Sequence, residues 1–385
     1  MQQKGSHKTL FKKVAGWLHL WLGLASGLVI IILGITGCLF AFQKEISEAT
    51  HNKRYFVQPQ QQVLPLSILL TKAQHALGEG QPVNNITVYR QLNRAWEFMA
   101  YKTNDTALTY YGCIEFFRSA FINPYTGEIT SILDYKYDFF NIIKYLHWSL
   151  LLNTRYGQPI VGYSTLIFVI LLITGLILWY PKKWNRATRR QSFTIKWKAR
   201  YKRLNYDLHN VPGFYCMFIA LVLALTGMVY SFNWFSCFVY AAASGTTSYP
   251  DKKPVYSDSS SKPVSNAIDI MFASVIRQMP GAMRFNITLA EGKQGTVYIL
   301  GYSDKETYYK YDALQYDQYN GQLLSRNNYS ALNRGEKLIQ ANYDIHVGAI
   351  GGIPGKIIAF IVSFIAGSLP VTGFLIWWWK RKPRH

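Results

Sequence analysis

Four stretches of this chain are long and apolar enough to cross a lipid bilayer, and they limit its fold more than any other feature. They are residues 14–42, 159–180, 211–239 and 354–379. A hydrocarbon core of ~30 Å takes about 20 helical residues at ~1.5 Å each. None of the four contains Asp or Glu, and their one charged residue, Lys356, lies near a helix end where its ammonium can reach the headgroups. The first stretch follows a basic tail, residues 1–13, as a secretory signal does. Its apolar run far exceeds the ~7–15 residues of a signal core and no small-residue cleavage site follows, so it is read as a retained helix.

The net charge of +21 suggests nucleic acid until its placement is considered. Lys4, Lys8, Lys12 and Lys13 precede the first span. Ten Lys/Arg and no acidic residue lie between Pro181 and Tyr206, and Lys380, Arg381, Lys382 and Arg384 follow the last span. These eighteen cations leave 23 basic against 20 acidic residues elsewhere. The excess is a topological signal, not a nucleic-acid footprint. It assigns both tails (1–13 and 380–385) and the loop 181–210 to the cytoplasm, and segments 43–158 and 240–353 to the outside. Four cysteines (Cys38, Cys113, Cys216, Cys237) lack paired C-x-x-C spacing, which argues against zinc and iron–sulfur sites; whether Cys113 and Cys237 pair is left open.

The chain also repeats itself. His19 and Gly23 are followed by Thr36-Gly37, and His209 and Gly213 by Thr226-Gly227, with 17 residues from His to Thr in both cases. His147 precedes Thr174-Gly175 by 27 residues and His346 precedes Thr372-Gly373 by 26. The exported segments match as well, Asn123-Pro-Tyr-Thr-Gly127 aligning with Asp317-Gln-Tyr-Asn-Gly321. Each predicts a short helix (Leu66–Gly78; Asn266–Met279), β-rich runs (Ile86–Tyr101; Phe285–Tyr302) and a strand–turn–strand closing on glycine. The expectation is an α-helical membrane protein of four spans carrying two small α+β periplasmic modules. Residues 245–263, rich in Ser, Lys and Pro, read as a flexible lead-in.

Topology sorts the repeated histidines into two pairs. His19 and His209 lie just inside the cytoplasmic boundary; His147 and His346 stand at the outer ends of spans two and four. Two neutral imidazoles facing each other across a helical bundle are what a b-type haem needs as axial ligands, and no C-x-x-C-H site indicates a covalent c-type haem. Gly23 and Gly213, four residues after their histidines, leave room for a flat macrocycle. The Thr-Gly pairs are read as close helix packing. Trp148, Trp179 and Trp377–Trp379 are read as interfacial, and His7, His51, His75 and His385 as solvated surface residues. The basic loop serves topology and anionic lipid, haem propionates or a soluble donor; these remain open.

The Leu18-His19, Gly23, Thr36-Gly37 pattern with its three echoes, the Pro-Tyr-Thr-Gly turn at 124–127 and the terminal Trp-Trp-Trp-Lys resemble the PepSY-associated transmembrane family, which includes inner-membrane siderophore reductases. The resemblance covers nearly the whole chain. It implies PepSY-like modules, two b-type haems ligated by His19 with His209 and by His147 with His346, and an oxidoreductase of a bacterial inner membrane that reduces ferric siderophore. The second turn departs from the pattern at Gln318 and Asn320, so the two modules need not act alike. No G-x-G-x-x-G follows a strand, so the electrons come from an external donor, quinol or a cytoplasmic reductase. The rivals are a haem-free PepSY module that binds a peptidase or cell-envelope partner, and a transporter, which the lack of charge inside the spans disfavours.

Overall fold

A computed structural model describes residues 3–251 and 253–381. The side chains of residues 3–9, and so those of Lys4, His7 and Lys8, lie outside the described residues, as do Lys382, Arg384 and His385. In chain order the elements are α1 (Gln3–Ala41), α2 (Gln43–Thr50), α3 (Asn52–Tyr55), α4 (Leu66–Leu77), β1 (Asn85–Tyr89), β2 (Trp96–Thr103), α5 (Tyr110–Cys113), β3 (Ile114–Ile122), β4 (Ile129–Asp134), α6 (Phe139–Ser149), α7 (Thr154–Trp179), α8 (Arg186–Phe193), α9 (Tyr201–Ser231), α10 (Asn233–Ser244), α11 (Ala267–Gln278), β5 (Arg284–Thr288), β6 (Thr296–Tyr302), β7 (Tyr311–Asp317), β8 (Leu323–Asn327), α12 (Arg334–His346) and α13 (Gly352–Arg381). They divide into a helical unit (up to Ala41, Ile143–Ser236, and from Ile345) and a sheet unit (Phe42–Ile142 and Cys237–Asp344).

In the helical unit Leu10–Ala41, Thr154–Trp179, Tyr201–Ser231 and Ala349–Arg381 are long and apolar enough to cross a membrane. They pack in a ring: α1 against α7 and α13, and α9 against the same two, so α1 and α9 stand diagonally opposed. The helix carrying His147 is not continuous with α7. Leu150 and Leu151 both adopt left-handed backbone (φ 56° and 58°), a conformation costing ~1–2 kcal/mol each in residues with a Cβ. They turn the chain, and Asn153 caps α7 by accepting from the Arg155 amide. The corresponding turn after His346 uses Gly348 (φ 75°), where the same backbone carries no Cβ penalty.

The sheet unit corrects one expectation. The eight strands form one antiparallel sheet in the order β4-β3-β2-β1-β5-β6-β7-β8 instead of two separate modules. The physical reason lies at the seam. Each four-stranded half would leave an open edge of unpaired amides at β1 or β5, and joining them satisfies both. Ile86 pairs with Ile287 and Tyr89 with Arg284, and the Asn85 and Asn286 side chains bond reciprocally at 3.1 and 2.7 Å. Alternation sends Ile86, Val88, Phe98, Phe285, Ile287 and Leu314 to one face. There α4 and α11 cover them with Leu69, Ala73, Met271 and Val275. The two helices are linked where Asp269 accepts from the Ser67 amide (3.0 Å) and hydroxyl (2.5 Å), charge-assisted bonds of ~1.5–3 kcal/mol. The predicted Gly turns form with left-handed Gly127 (φ 70°) and Gly321 (φ 74°). Residues 245–263 hold no helix or strand among those described.

Candidate functional site

The four repeated histidines meet two by two inside the helical unit. His19 on α1 and His209 on α9 face each other with ring centres 6.2 Å apart and planes at 87°. His147 in the last turn of α6 and His346 at the end of α12 stand 6.1 Å apart at 63°. His51 and His75 are exposed in the sheet unit and join neither pair.

Each ring is held by a threonine from the same half of the chain. Nδ1 of His19 lies 3.0 Å from Thr174 Oγ1 on α7, and Nδ1 of His147 lies 2.9 Å from Thr36 Oγ1 on α1. In the second half, His209 meets Thr372 on α13 and His346 meets Thr226 on α9, both at 2.9 Å. The direction of these bonds follows from proton counting. A threonine hydroxyl has one proton, and each of the four is within hydrogen-bond reach of the carbonyl four residues back: Ile32 (2.6 Å), Ile170 (2.9 Å), Val222 (2.8 Å) and Ser368 (3.1 Å). The oxygen therefore accepts, Nδ1 carries the proton, and Nε2 keeps its lone pair. At His346 the Leu223 carbonyl, which can only accept, also lies 3.0 Å from Nδ1 and requires the same tautomer.

The glycine after each threonine makes space for the ring. A Cβ added to Gly175 would lie 3.3 Å from His19 Cε1, and one on Gly373 would lie 3.2 Å from His209 Cε1. Gly37 and Gly227 stand in the same relation to His147 and His346, at 3.6 and 3.5 Å. The Thr-Gly pairs thus position imidazoles, a role that reading them as helix packing missed. The sequence carried only part of the signal: each pair recurs 17, 26 or 27 residues after a repeated histidine, which is not the histidine it meets.

These residues fit a group held between paired imidazoles. A metal bound to two of them needs ~2.0–2.1 Å per bond and about 1.1 Å more to each ring centre, so the centres fall ~6.3 Å apart. Both pairs match this separation. Among the described residues no three His, Cys, Asp or Glu gather to complete a bare metal site. The remaining coordination would have to come from the bound group itself, as it does in a porphyrin. A cavity of about 440 Å³ surrounds His19 and His209, a size usual for cofactor sites. Gly23 and Gly213 line it, where added Cβ atoms would meet only the Leu171 and Leu369 side chains, at 3.8 and 3.4 Å. Trp179 and Phe214, stacked at 3.8 Å, stand beside it, and Lys380 reaches its wall. The one acidic residue of the helical unit, Asp207, is fully buried at the start of α9, paired with Arg203 at 2.8 Å and accepting from the Lys196 amide. All four cysteines are free.

No curated protein matches the chain. The family model for the PepSY-associated TM region matches residues 16–381, which takes in all four apolar helices, both histidine pairs and the whole sheet. The chain is a multi-pass membrane protein and belongs to the PepSY-associated transmembrane family.

Proposed function

We propose that this protein is a membrane oxidoreductase in which His19 with His209, and His147 with His346, would hold two b-type haems, and that it reduces ferric siderophore to release iron(II). The observation that carries the reading is the twice-repeated pair of facing imidazoles, 6.2 and 6.1 Å apart, each with Nε2 free for a metal. Bound haem would supply a one-electron iron couple, which is the chemistry the substrate requires. Hard-oxygen chelators hold iron(II) far more weakly than iron(III), so one electron frees the metal without destroying the ligand. The chain's own part is to fix the ligand rings, keep their surroundings apolar and place one pair near each end of the bundle.

Charge supports an orientation. Lys12 donates to the Tyr180 carbonyl, so the basic start of α1 meets the end of α7 and the basic loop that follows it. Lys380 extends from α13 to the cavity beside His19. The positive-inside rule puts this end in the cytoplasm of a bacterial inner membrane, and the helix ends leading to the sheet segments on the periplasmic side. Electrons enter there from quinol or a cytoplasmic reductase. Lipid is the other partner; nucleic acid is not.

The visible spectrum of the purified protein tests the reading. A Soret band, with split α and β bands after dithionite, is expected, and His19→Ala should lose about half the haem, one of two sites. Reduced protein mixed with a ferric hydroxamate siderophore should reoxidise and yield ferrous iron to a chromogenic chelator. Protein that folds and stays colourless with added haem would overturn the reading in favour of a haem-free PepSY module acting on a peptidase or cell-envelope partner.

A further inference from the structure

We infer that Thr36, Thr174, Thr226 and Thr372 are positioning residues that set the donor strength of the four imidazoles, and through it the reduction potential of the iron each pair holds. The inference rests on the dihaem reading and adds to it a means of tuning.

The observation is a chain of two hydrogen bonds that occurs four times: imidazole Nδ1–H to threonine Oγ1, and threonine O–H to the carbonyl four residues back. Hydrogen bonds in series polarise one another, so a hydroxyl whose proton is already committed is a better acceptor than a free one. Pulling on the Nδ1 proton gives the ring partial imidazolate character, makes Nε2 a stronger donor and favours iron(III) over iron(II). A neutral hydroxyl pulls less than a carboxylate. The rings thus stay neutral imidazoles, and the potential is held above that of a carboxylate-braced pair. Packing alone does not explain the pattern, because valine has the shape of threonine and would fill the same space.

The braces are also separable. Thr174 and Thr372 serve only the His19–His209 pair, whereas Thr36 and Thr226 serve only the His147–His346 pair. A change at one site therefore leaves the other as an internal reference within the same molecule.

The experiment is a spectroscopic redox titration of the full-length protein in detergent, with haem stoichiometry measured alongside. For Thr174→Val, the potential of one haem should rise so that its ferrous-to-ferric ratio at fixed potential increases roughly tenfold, if the ~10-fold lower end of what such partners contribute to metal affinity falls on the iron(III) state alone. For one electron that is about 59 mV. The other haem should not move, Thr226→Val should show the converse, and Thr174→Ser should restore the original value. Loss of one haem from Thr174→Val with full retention in Thr174→Ser also supports the inference, since only the hydroxyl distinguishes that outcome. Two haems in the valine variant with both potentials unchanged would overturn it, as would loss of haem from valine and serine variants alike, which assigns the threonine to packing. Wild-type protein that takes up no haem would instead sink the dihaem reading itself.

Discussion

Gly34 on α1 and Gly367 on α13 touch backbone to backbone: a Cβ on Gly34 would stand 2.6 Å from the Gly367 Cα and 2.8 Å from the Ser363 carbonyl oxygen. In a bilayer there is little hydrophobic force between helices, so such close approach by small residues is a main source of their association. The contact also sets the height of α1, which carries His19 of one pair and Thr36, the brace of the other.

Substituting Gly34 should therefore weaken the bundle and disturb both pairs together. Gly34→Val must push α1 and α13 apart, and overpacking of this kind costs ~1–3 kcal/mol. The expected result is a lower thermal midpoint in detergent and, on the proposed dihaem reading, loss of haem from both sites instead of one. Gly80→Ala, at a position where nothing lies within 4 Å of the added atom, should leave the midpoint unchanged. An unaltered midpoint in Gly34→Val would mean that this contact does not limit the packing.

How much of this was readable in the sequence depends on how local each cause is. The four spans follow from apolar length alone, and the paired histidines from repeat spacing combined with the distribution of Lys and Arg. The threonine braces were countable but not interpretable, because Thr36 and His147 meet across 111 residues and linear spacing does not reveal who faces whom. Alternation at Ile86 and Val88, and again at Phe285 and Ile287, indicates which face is buried but not which strand lies alongside, so the β1–β5 seam was not visible. The break after His147 was hidden for a different reason. It is made by Leu150 and Leu151, residues that carry no turn signal, and tertiary packing overrides their local preference.

Glu97 makes the stability of the sheet unit pH-dependent in a direction opposite to that of a salt-bridged carboxylate. It lies on β2, where it accepts from the Tyr135 hydroxyl at 2.8 Å, and burial raises its carboxyl above the ordinary value of about 4.5 despite that bond and nearby Arg94. In the window above 4.5 the unfolded chain ionises before the folded one, so the folded state binds more protons and stability falls as pH rises. The contribution is fully present below the ordinary value and is lost as pH rises through the folded one. Glu97→Gln keeps an acceptor for Tyr135 and has no charge to lose. In chemical unfolding of the full-length protein followed by tryptophan fluorescence, the variant should match or exceed wild type at neutral pH and lose its advantage toward pH 4. An advantage that instead grows as pH falls would show that Glu97 is a stabilising carboxylate.

The ring planes offer a test that does not depend on activity or on any particular acceptor. In an oxidised bis-imidazole haem, each ligand ring interacts with the iron d orbital whose lobes lie perpendicular to that ring. Parallel rings act on the same orbital and separate it from its partner; perpendicular rings act on both and leave them nearly degenerate. Near-degeneracy gives a highly anisotropic low-spin signal displaced to low field in electron paramagnetic resonance. His19 and His209, at 87°, should give this extreme signal, whereas His147 and His346, at 63°, should give one closer to the ordinary rhombic form. On the proposed dihaem reading, the oxidised protein should therefore show two low-spin species, and His209→Ala should remove the one at lower field while leaving the other. Thr372→Val adds a second check, because it leaves the Leu369 carbonyl as the remaining partner of the His209 ring and should move the low-field signal without changing the other. Two identical rhombic signals would mean that both pairs hold their rings alike and near parallel, contrary to the 87° and 63° between the ring planes.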